Sequence, residues 1–344
     1  MPIPSFTTPP GGSTAPPLEL LDLAAQYVVA RSVAVAAKLR VADHLADGPR
    51  SAEELAGLCG AHPRSLYRML RLLAAAGIFA KTGDDRFSLT PLGDCLRADH
   101  PVSMGSFFRM LDGPAGRIAF EIGHTVRTGE PADQLVLGAE LFEYLAKHPE
   151  DSADFDEAMT DLRKQFTGPI LMAYDFSQFT TIVDVAGGQG FFLQCLLAGN
   201  PTVKGVLFDQ PHVVEAGRAA MAEAGLAERC EVVSGDFFES VPAGADGYCL
   251  SWIIHDWNDE RAIAILRSVR RAIAPNGRLL LIESVIPDDN QPDFSIIQEG
   301  FLMPIGGVER TGAEYSALLD AAGFRLEQIV PTLCPQSIVE AVPV

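Results

Sequence analysis

Basic charge is scarce in this chain. Its 344 residues carry 26 Lys plus Arg against 45 Asp plus Glu, a formal net charge of −19. A surface of that sign is repelled by phosphate, which argues against broad binding to nucleic acid or an anionic membrane but leaves room for a small basic patch. Cysteine is sparse and scattered: Cys59, Cys95, Cys195, Cys230, Cys249 and Cys334 form no C-x-x-C and no Cys/His cluster. Neither a zinc site nor a disulfide framework is indicated, no metal cofactor is expected, and reduced thiols in a cytoplasmic protein are the simplest reading. No uninterrupted apolar run approaches the ~18 residues of a membrane-spanning helix. The first 17 residues hold six Pro, two adjacent Gly and several Ser and Thr, without the basic start or apolar centre of a signal peptide, and read as a disordered tail. Hydrophobic residues make up 48% and charged residues 21%, enough to bury the cores of two domains.

Residues 18–99 read as helices followed by a hairpin. From Leu18 to Asp47 the chain is apolar with sparse charge, and Gly48-Pro49 stops it. Most of that helix circumference should be buried, more than one small domain encloses, so a second copy of the chain is expected against it. Ser51 to Glu54 reads as a capping box. Pro63 opens a helix closed by Gly77, and Gly83-Asp84-Asp85 turns between two short strands. Helix, helix, hairpin is a winged-helix pattern. Arg64, Arg68 and Arg71 would make the second helix a DNA reader; the acidity of the chain favours a dimerising domain instead.

Residues 100–177 are helical and rich in large flexible apolar side chains, among them Met104, Phe108, Phe155, Met159 and Met172. Such residues are core by default. Beside a domain that binds an apolar substrate they would form its lid.

From residue 178 strands and helices alternate, the signature of an α/β, doubly wound, mainly parallel sheet, in which ligands lie at the carboxyl ends of the strands. The residues that carry chemistry fall at those ends: Gly187, Gly188 and Gly190 after the first strand, Asp209-Gln210 after the second, Asp236-Phe237 after the third, Ser251 to His255 after the fourth and Glu283 at the end of the fifth. Leu193 stands where a dinucleotide fingerprint has its third Gly, so close approach of an uncharged ligand part is favoured over a pyrophosphate cradle. Asp209 suits a carboxylate that accepts from both hydroxyls of a ribose. Asp236 could accept from an adenine amine with Phe237 alongside. Each acid alone reads equally well as a helix cap, and four such features in register are hard to reach by chance.

VDVAGGQG, FDQPHV, GDFF, LSWIIHDWNDE, LLLIESVIPDD and GGVERT resemble, in that order, the motifs of the small-molecule S-adenosylmethionine-dependent O-methyltransferases, the family of the plant caffeate-type and bacterial polyketide enzymes. The resemblance runs over residues 18–344. It implies a Rossmann-like class I methyltransferase domain at 178–344, a winged-helix dimerisation domain at 18–99, a homodimer, and a helical linker and lid at 100–177. It further implies S-adenosylmethionine as cofactor and S-adenosylhomocysteine as product. Gly187, Gly188 and Gly190 would line the cofactor's amino-acid end and Asp209 would hold its ribose. Asp236 and Phe237 would flank its adenine, with Ser251 and Trp252 lying against it. His255 matches the family's catalytic base, with Glu283 and Glu309 as the acids that orient it. Trp257, Gln298, Phe301 and Met303 are expected to join the lid residues around a small aromatic acceptor, a phenolic secondary metabolite such as a polyketide.

Two departures stand out. Ala186 replaces a common Gly, and Gln298-Glu299 occupy a region where many members carry an Asp near the acceptor. Some relatives keep fold and cofactor but act as decarboxylases or hydroxylases, and these usually lack the base that His255 supplies here. A nicotinamide dehydrogenase and a ligand-sensing DNA-binding regulator remain as readings from other classes.

Overall fold

The computed structural model describes residues 15–83, 85–289 and 291–344. Most of the expected tail and the middle residue of the Gly83–Asp85 turn therefore lie outside the described residues. The chain divides into two compact units, one of residues up to Arg117 with Leu145–Leu162, the other of Ile118–Tyr144 with Arg163–Val344. The helical stretch expected to stand alone at 100–177 is thus shared between them.

The first unit opens with α1 (Pro16–Lys38), which starts earlier than expected because Pro16 and Pro17 occupy its first turn, where no N–H is needed. The single helix expected through Asp47 breaks at Arg40, whose φ of 54° is left-handed, and resumes as α2 (Val41–His44). Within one chain α1 is only partly buried, which leaves the face expected to meet a second copy uncovered. Val29, Val33, Ala34, Ala36 and Ala37 are buried, whereas Leu20, Leu21, Leu23, Tyr27 and Val28 are exposed. By length and composition α1 could cross a membrane. After β1 (Arg50–Ser51), α3 (Ala52–Cys59) begins with the expected capping box: Ser51 Oγ accepts from the Glu54 N–H at 3.2 Å, and Glu54 Oε2 accepts from the Ser51 N–H at 2.6 Å. Helix α4 (Pro63–Ala75) follows, then β2 (Phe79–Thr82) and β3 (Arg86–Leu89), with sheet order β1-β3-β2. Leu55, Leu70, Leu73 and Phe87 are fully buried between helices and sheet, each contributing about 1.5–3 kcal/mol by removal from water.

The short α5 (Pro91–Asp94) leads to α6 (Gly105–Asp112), α7 (Pro114–Ala119), α8 (Ile122–Thr128), α9 (Asp133–Leu137), α10 (Leu141–Lys147) and the long α11 (Pro149–Ala173). In the first unit α6 is pinned to the start of α11 by polar contacts. The buried Arg109 donates to Asp154 at 3.0 Å and Glu157 at 2.5 Å, and Ser106 donates to Asp161 at 2.7 Å.

The second unit is a mixed sheet in the order β10-β11-β8-β7-β4-β5-β6, with β9 pairing on β8. Its strands are β4 (Thr181–Val185), β5 (Lys204–Asp209), β6 (Cys230–Ser234), β7 (Gly247–Ser251), β8 (Arg278–Ile286), β9 (Arg310–Thr311), β10 (Phe324–Pro331) and β11 (Gln336–Pro343). Strands β4 to β8 run parallel, and the last two form an antiparallel pair. All five residues of β7 are buried, as a central strand covered on both faces requires. Helices α12 (Phe191–Gly199), α13 (Pro211–Glu223), α14 (Asp259–Ala272), α15 (Phe294–Leu302) and α16 (Gly312–Ala322) complete the winding. One core holds Leu250, Ile265, Leu319 and Phe324, a second Phe192, Leu196, Leu207 and Leu280. Strand order reverses at β4, which lies between β5 and β7, so the carboxyl ends of these strands open at the switch point where ligands bind in such sheets.

Candidate functional site

The sharp turn after β4 depends on glycine. Gly188 and Gly190 have φ of 62° and 81°. A Cβ on Gly190 would stand 2.5 Å from Met221 Cε, and one on Gly187 would stand 2.5 Å from Asp184 Oδ2. The loop therefore presents bare backbone. Asp209, at the end of β5, closes it: Oδ2 accepts from the Gly188 N–H at 2.7 Å and Oδ1 from the Gln210 N–H at 2.6 Å. An ionised carboxylate is an acceptor-only group, the chemistry that the two hydroxyls of a diol require. Asp236 is exposed and turns inward on its own loop, with Oδ1 accepting from the Phe238 N–H at 2.8 Å.

His255 lies in a buried 3-10 turn (Ile254–Asp256) just past β7. Glu283, on the neighbouring β8, is fully buried and holds the start of that turn, its Oε1 accepting from the Ile253 and Ile254 N–H groups at 3.0 and 2.8 Å. Its other oxygen stands 3.6 Å from His255 Nδ1. Glu309 Oε1 is closer, 2.9 Å from the same nitrogen. Both acids expected to orient the imidazole do flank it, and both do so at Nδ1. That arrangement favours a proton on Nδ1 and leaves Nε2 on the opposite side of the ring, with Asp256 Oδ1 at 3.5 Å. Burial alone would lower the His255 pKa, but Glu283, Asp256 and Glu309 outweigh it and raise it to about 10.

Trp252 stacks on His255 with ring centroids 6.2 Å apart, and its φ of 55° is unusual for a residue with a side chain. Ala186, at the other side of the switch point, shares that φ of 55°.

Two residues of the site, Arg163 and Asp184, were not among those expected from the sequence. Arg163, on α11, donates to the Gly187 carbonyl at 3.0 Å and the Ser251 carbonyl at 3.0 Å, joining the carboxyl ends of β4 and β7. Its sequence position, 24 residues before the glycine loop, gave no clue to that placement. Asp184 was more legible, as a charge inside an apolar strand. It is buried, neither of its oxygens has a hydrogen-bond partner among the described residues, and burial pushes its pKa up to about 7.

Family comparison decides what this arrangement belongs to. Residues 121–325 match the O-methyltransferase domain model, and residues 21–99 match the O-methyltransferase dimerisation domain model. The chain belongs to the O-methyltransferase family. It is 43% identical over 326 residues to the phenazine O-methyltransferase of Lysobacter antibioticus, covering 94% of this chain and 96% of that protein. It is 37% identical to the O-demethylpuromycin-O-methyltransferase of Streptomyces alboniger, covering 94% and 89%. A solved O-methyltransferase from neocarzinostatin biosynthesis, in complex with S-adenosyl-L-homocysteine and 1,4-dihydroxy-2-naphthoic acid, superposes with a TM-score of 0.83 at 36% identity, covering 92% of this chain and 96% of that one.

The residues expected to surround an acceptor in this O-methyltransferase are drawn from both units. Met104, just before α6, and Phe108, packed on the winged-helix core, belong to the first unit together with Phe155 and Met159 on α11. Met172, near the end of α11, belongs to the second unit and is 73% exposed. Trp257 is enclosed by Phe142, Phe237 and Phe238, with the Arg261 guanidinium 4.3 Å above its ring. Gln298 is tied inward, accepting from Ser284 Oγ at 3.0 Å and standing 3.4 Å from His255 Nδ1. Phe301 on α15 is exposed, and Met303 is half-buried in the turn after it.

Proposed function

We propose that this chain transfers a methyl group from S-adenosylmethionine to a hydroxyl of a small aromatic acceptor, with His255 Nε2 receiving the hydroxyl proton. The residues fit that cofactor. Asp209 places a carboxylate acceptor for the ribose diol beside the Gly188 N–H, and Gly187, Gly188 and Gly190 present bare backbone to the amino-acid end. The orphaned buried carboxyl of Asp184 lies beneath Gly187, and the Arg163 guanidinium, which donates to the Gly187 carbonyl, offers a cation to the ligand's carboxylate. Asp236, Phe237, Ser251 and Trp252 would complete the nucleoside side, and Gln210 the ribose side. When bound, the cofactor supplies a methyl group on a sulfonium, open to in-line displacement without acid assistance.

The observation that carries the reading is the pair of acids at Nδ1, which engage that nitrogen and leave Nε2 on the opposite side of the ring as the basic atom. An ordinary His, near 6.5, falls about 3.5 units short of a phenol near 10, roughly 5 kcal/mol uphill for complete proton transfer. Raising His255 to about 10 closes that gap. The proton count is the same whether a phenol meets neutral imidazole or a phenolate meets imidazolium, and in either form the proton finally leaves to solvent. Holding acceptor oxygen and methyl carbon in line contributes further, up to about 7–11 kcal/mol in favourable cases.

The acceptor class is inferred from the relatives' substrates, which include a phenazine and a naphthoate. We further propose that the exposed apolar side of α1 is covered by a second copy of the chain, as a dimerisation domain implies. No nucleic-acid or membrane role is proposed, given the net charge of −19. A methyl-transfer screen of phenolic metabolites with labelled cofactor tests the reading. A labelled methyl ether is expected from at least one phenol, and failure to bind S-adenosylhomocysteine would contradict it.

A further inference from the structure

Arg310 is the largest of the fully buried side chains, with 1% of its surface exposed. A guanidinium has five N–H donors, and here each has an acceptor. Nε donates to Asp259 Oδ1 at 3.1 Å, and Nη2 donates to the same oxygen at 2.8 Å and to the Trp257 carbonyl at 2.8 Å. Nη1 donates to the Ile254 carbonyl at 3.2 Å and the Val308 carbonyl at 3.1 Å. Ile254 and Trp257 bracket His255 in sequence, and Val308 precedes Glu309. One planar fork therefore ties the turn that bears the imidazole to the segment that bears its carboxylate partner. The backbone adds a single bond between the same two segments, from the Val308 N–H to the His255 carbonyl at 2.7 Å.

We propose that Arg310 is a positioning residue for the transfer reaction: its guanidinium sets the approach of the Glu309 carboxylate to His255 Nδ1 and thereby keeps Nε2 turned to the acceptor. The inference rests on the reading of His255 as the proton acceptor. A fold-stabilising role alone would be served by any well-packed group of this volume, whereas a saturated fork aimed at the carbonyls around His255 fixes an orientation. Lysine in its place would keep the charge but has three donors in no fixed plane.

The test uses Arg310→Lys and, because loss of a buried arginine can unfold the chain, also Asp259→Asn, which weakens the fork from a side chain that is 75% exposed. In each variant the His255 ring is titrated by NMR, its resonance identified among the seven histidines by its loss in His255→Gln. Thermal unfolding, S-adenosylhomocysteine affinity and kcat are measured alongside. In Arg310→Lys the His255 midpoint is expected to fall by about one unit, because the carboxylate that supports the cation moves away. Its kcat falls about 10–100-fold while cofactor affinity stays within about threefold. Asp259→Asn moves both quantities in the same direction by less, with Tm within about 2 °C of the parent. An unmoved His255 midpoint in the folded variants, or a kcat that falls only with the folded fraction, overturns the proposal. The ring titration needs no turnover, so it judges Arg310 even if His255→Ala retains activity and the reading of His255 as base fails.

Discussion

His255 Nδ1 and Glu309 Oε1 are 2.9 Å apart, and Glu283 Oε2 stands 3.6 Å from the same nitrogen. One carboxylate from the segment before β9 and one from β8 therefore act on a single ring nitrogen. Their charge favours the imidazolium, which makes the imidazole a stronger base.

Replacing Glu309 by Gln should lower the His255 pKa from about 10 toward the ordinary range, because one of the charges that raises it is removed. With a phenolic acceptor, kcat/KM of the parent enzyme should rise about tenfold per pH unit from 7 to 9, since one proton must leave the enzyme–acceptor pair. In Glu309→Gln the profile should level off at lower pH. Rate profiles of both proteins check this, and an unshifted limb counts against the assignment.

Asp209→Ala should weaken S-adenosylhomocysteine binding by about 10²-fold or more, the loss expected when charge-assisted hydrogen bonds to two hydroxyls are removed. The rate at saturating cofactor should change little. Calorimetry decides it, and unaltered affinity would remove Asp209 from the ribose site.

Ala186 holds a left-handed backbone with φ of 55°, a conformation that costs a residue with a side chain about 1–2 kcal/mol. Ala186→Gly should stabilise the chain by about 0.5–1 kcal/mol after the greater freedom of glycine in the unfolded chain is subtracted. Gly190→Ala should do the opposite, since φ is 81° and the new Cβ would stand 2.5 Å from Met221 Cε. Denaturant midpoints of the two variants should move in opposite directions.

Asp184 has a folded-state pKa of about 7, raised by burial above its unfolded value near 3.9. The folded chain thus binds this proton more tightly than the unfolded chain. Its contribution to stability is present below about pH 4 and is lost as pH rises toward 7. Glu283 and Asp256, raised by burial to about 7 and about 6, add to the same slope. Asp184→Asn should raise the Tm of the ligand-free protein at pH 8 and leave it nearly unchanged at pH 4.

The sheet and the ligand end of it were legible in the sequence because a parallel strand ends where its loop begins. Gly187, Asp209, His255 and Glu283 could thus be placed before any coordinates. Glu309 was legible only through the family motif that contains it. Arg163 was not, since a helix far upstream gives no sign of which carbonyls it will meet. Neighbouring Arg310 shares Glu309's motif, but only folding brings four acceptor oxygens around its five N–H groups. The break of α1 at Arg40 was hidden by good helix formers on both sides. Helical periodicity reports an apolar face and not its neighbour, so the contacts of Trp257 with Phe238 and of Gln298 with Ser284 became visible only in the fold.

Single-turnover methyl transfer by His255→Ala, measured together with its S-adenosylhomocysteine affinity, tests the central claim most directly. Affinity should remain within about threefold of the parent while the transfer rate to a phenol falls by about 10²–10⁴. An unchanged transfer rate in the folded, cofactor-binding variant would show that His255 does not receive the proton.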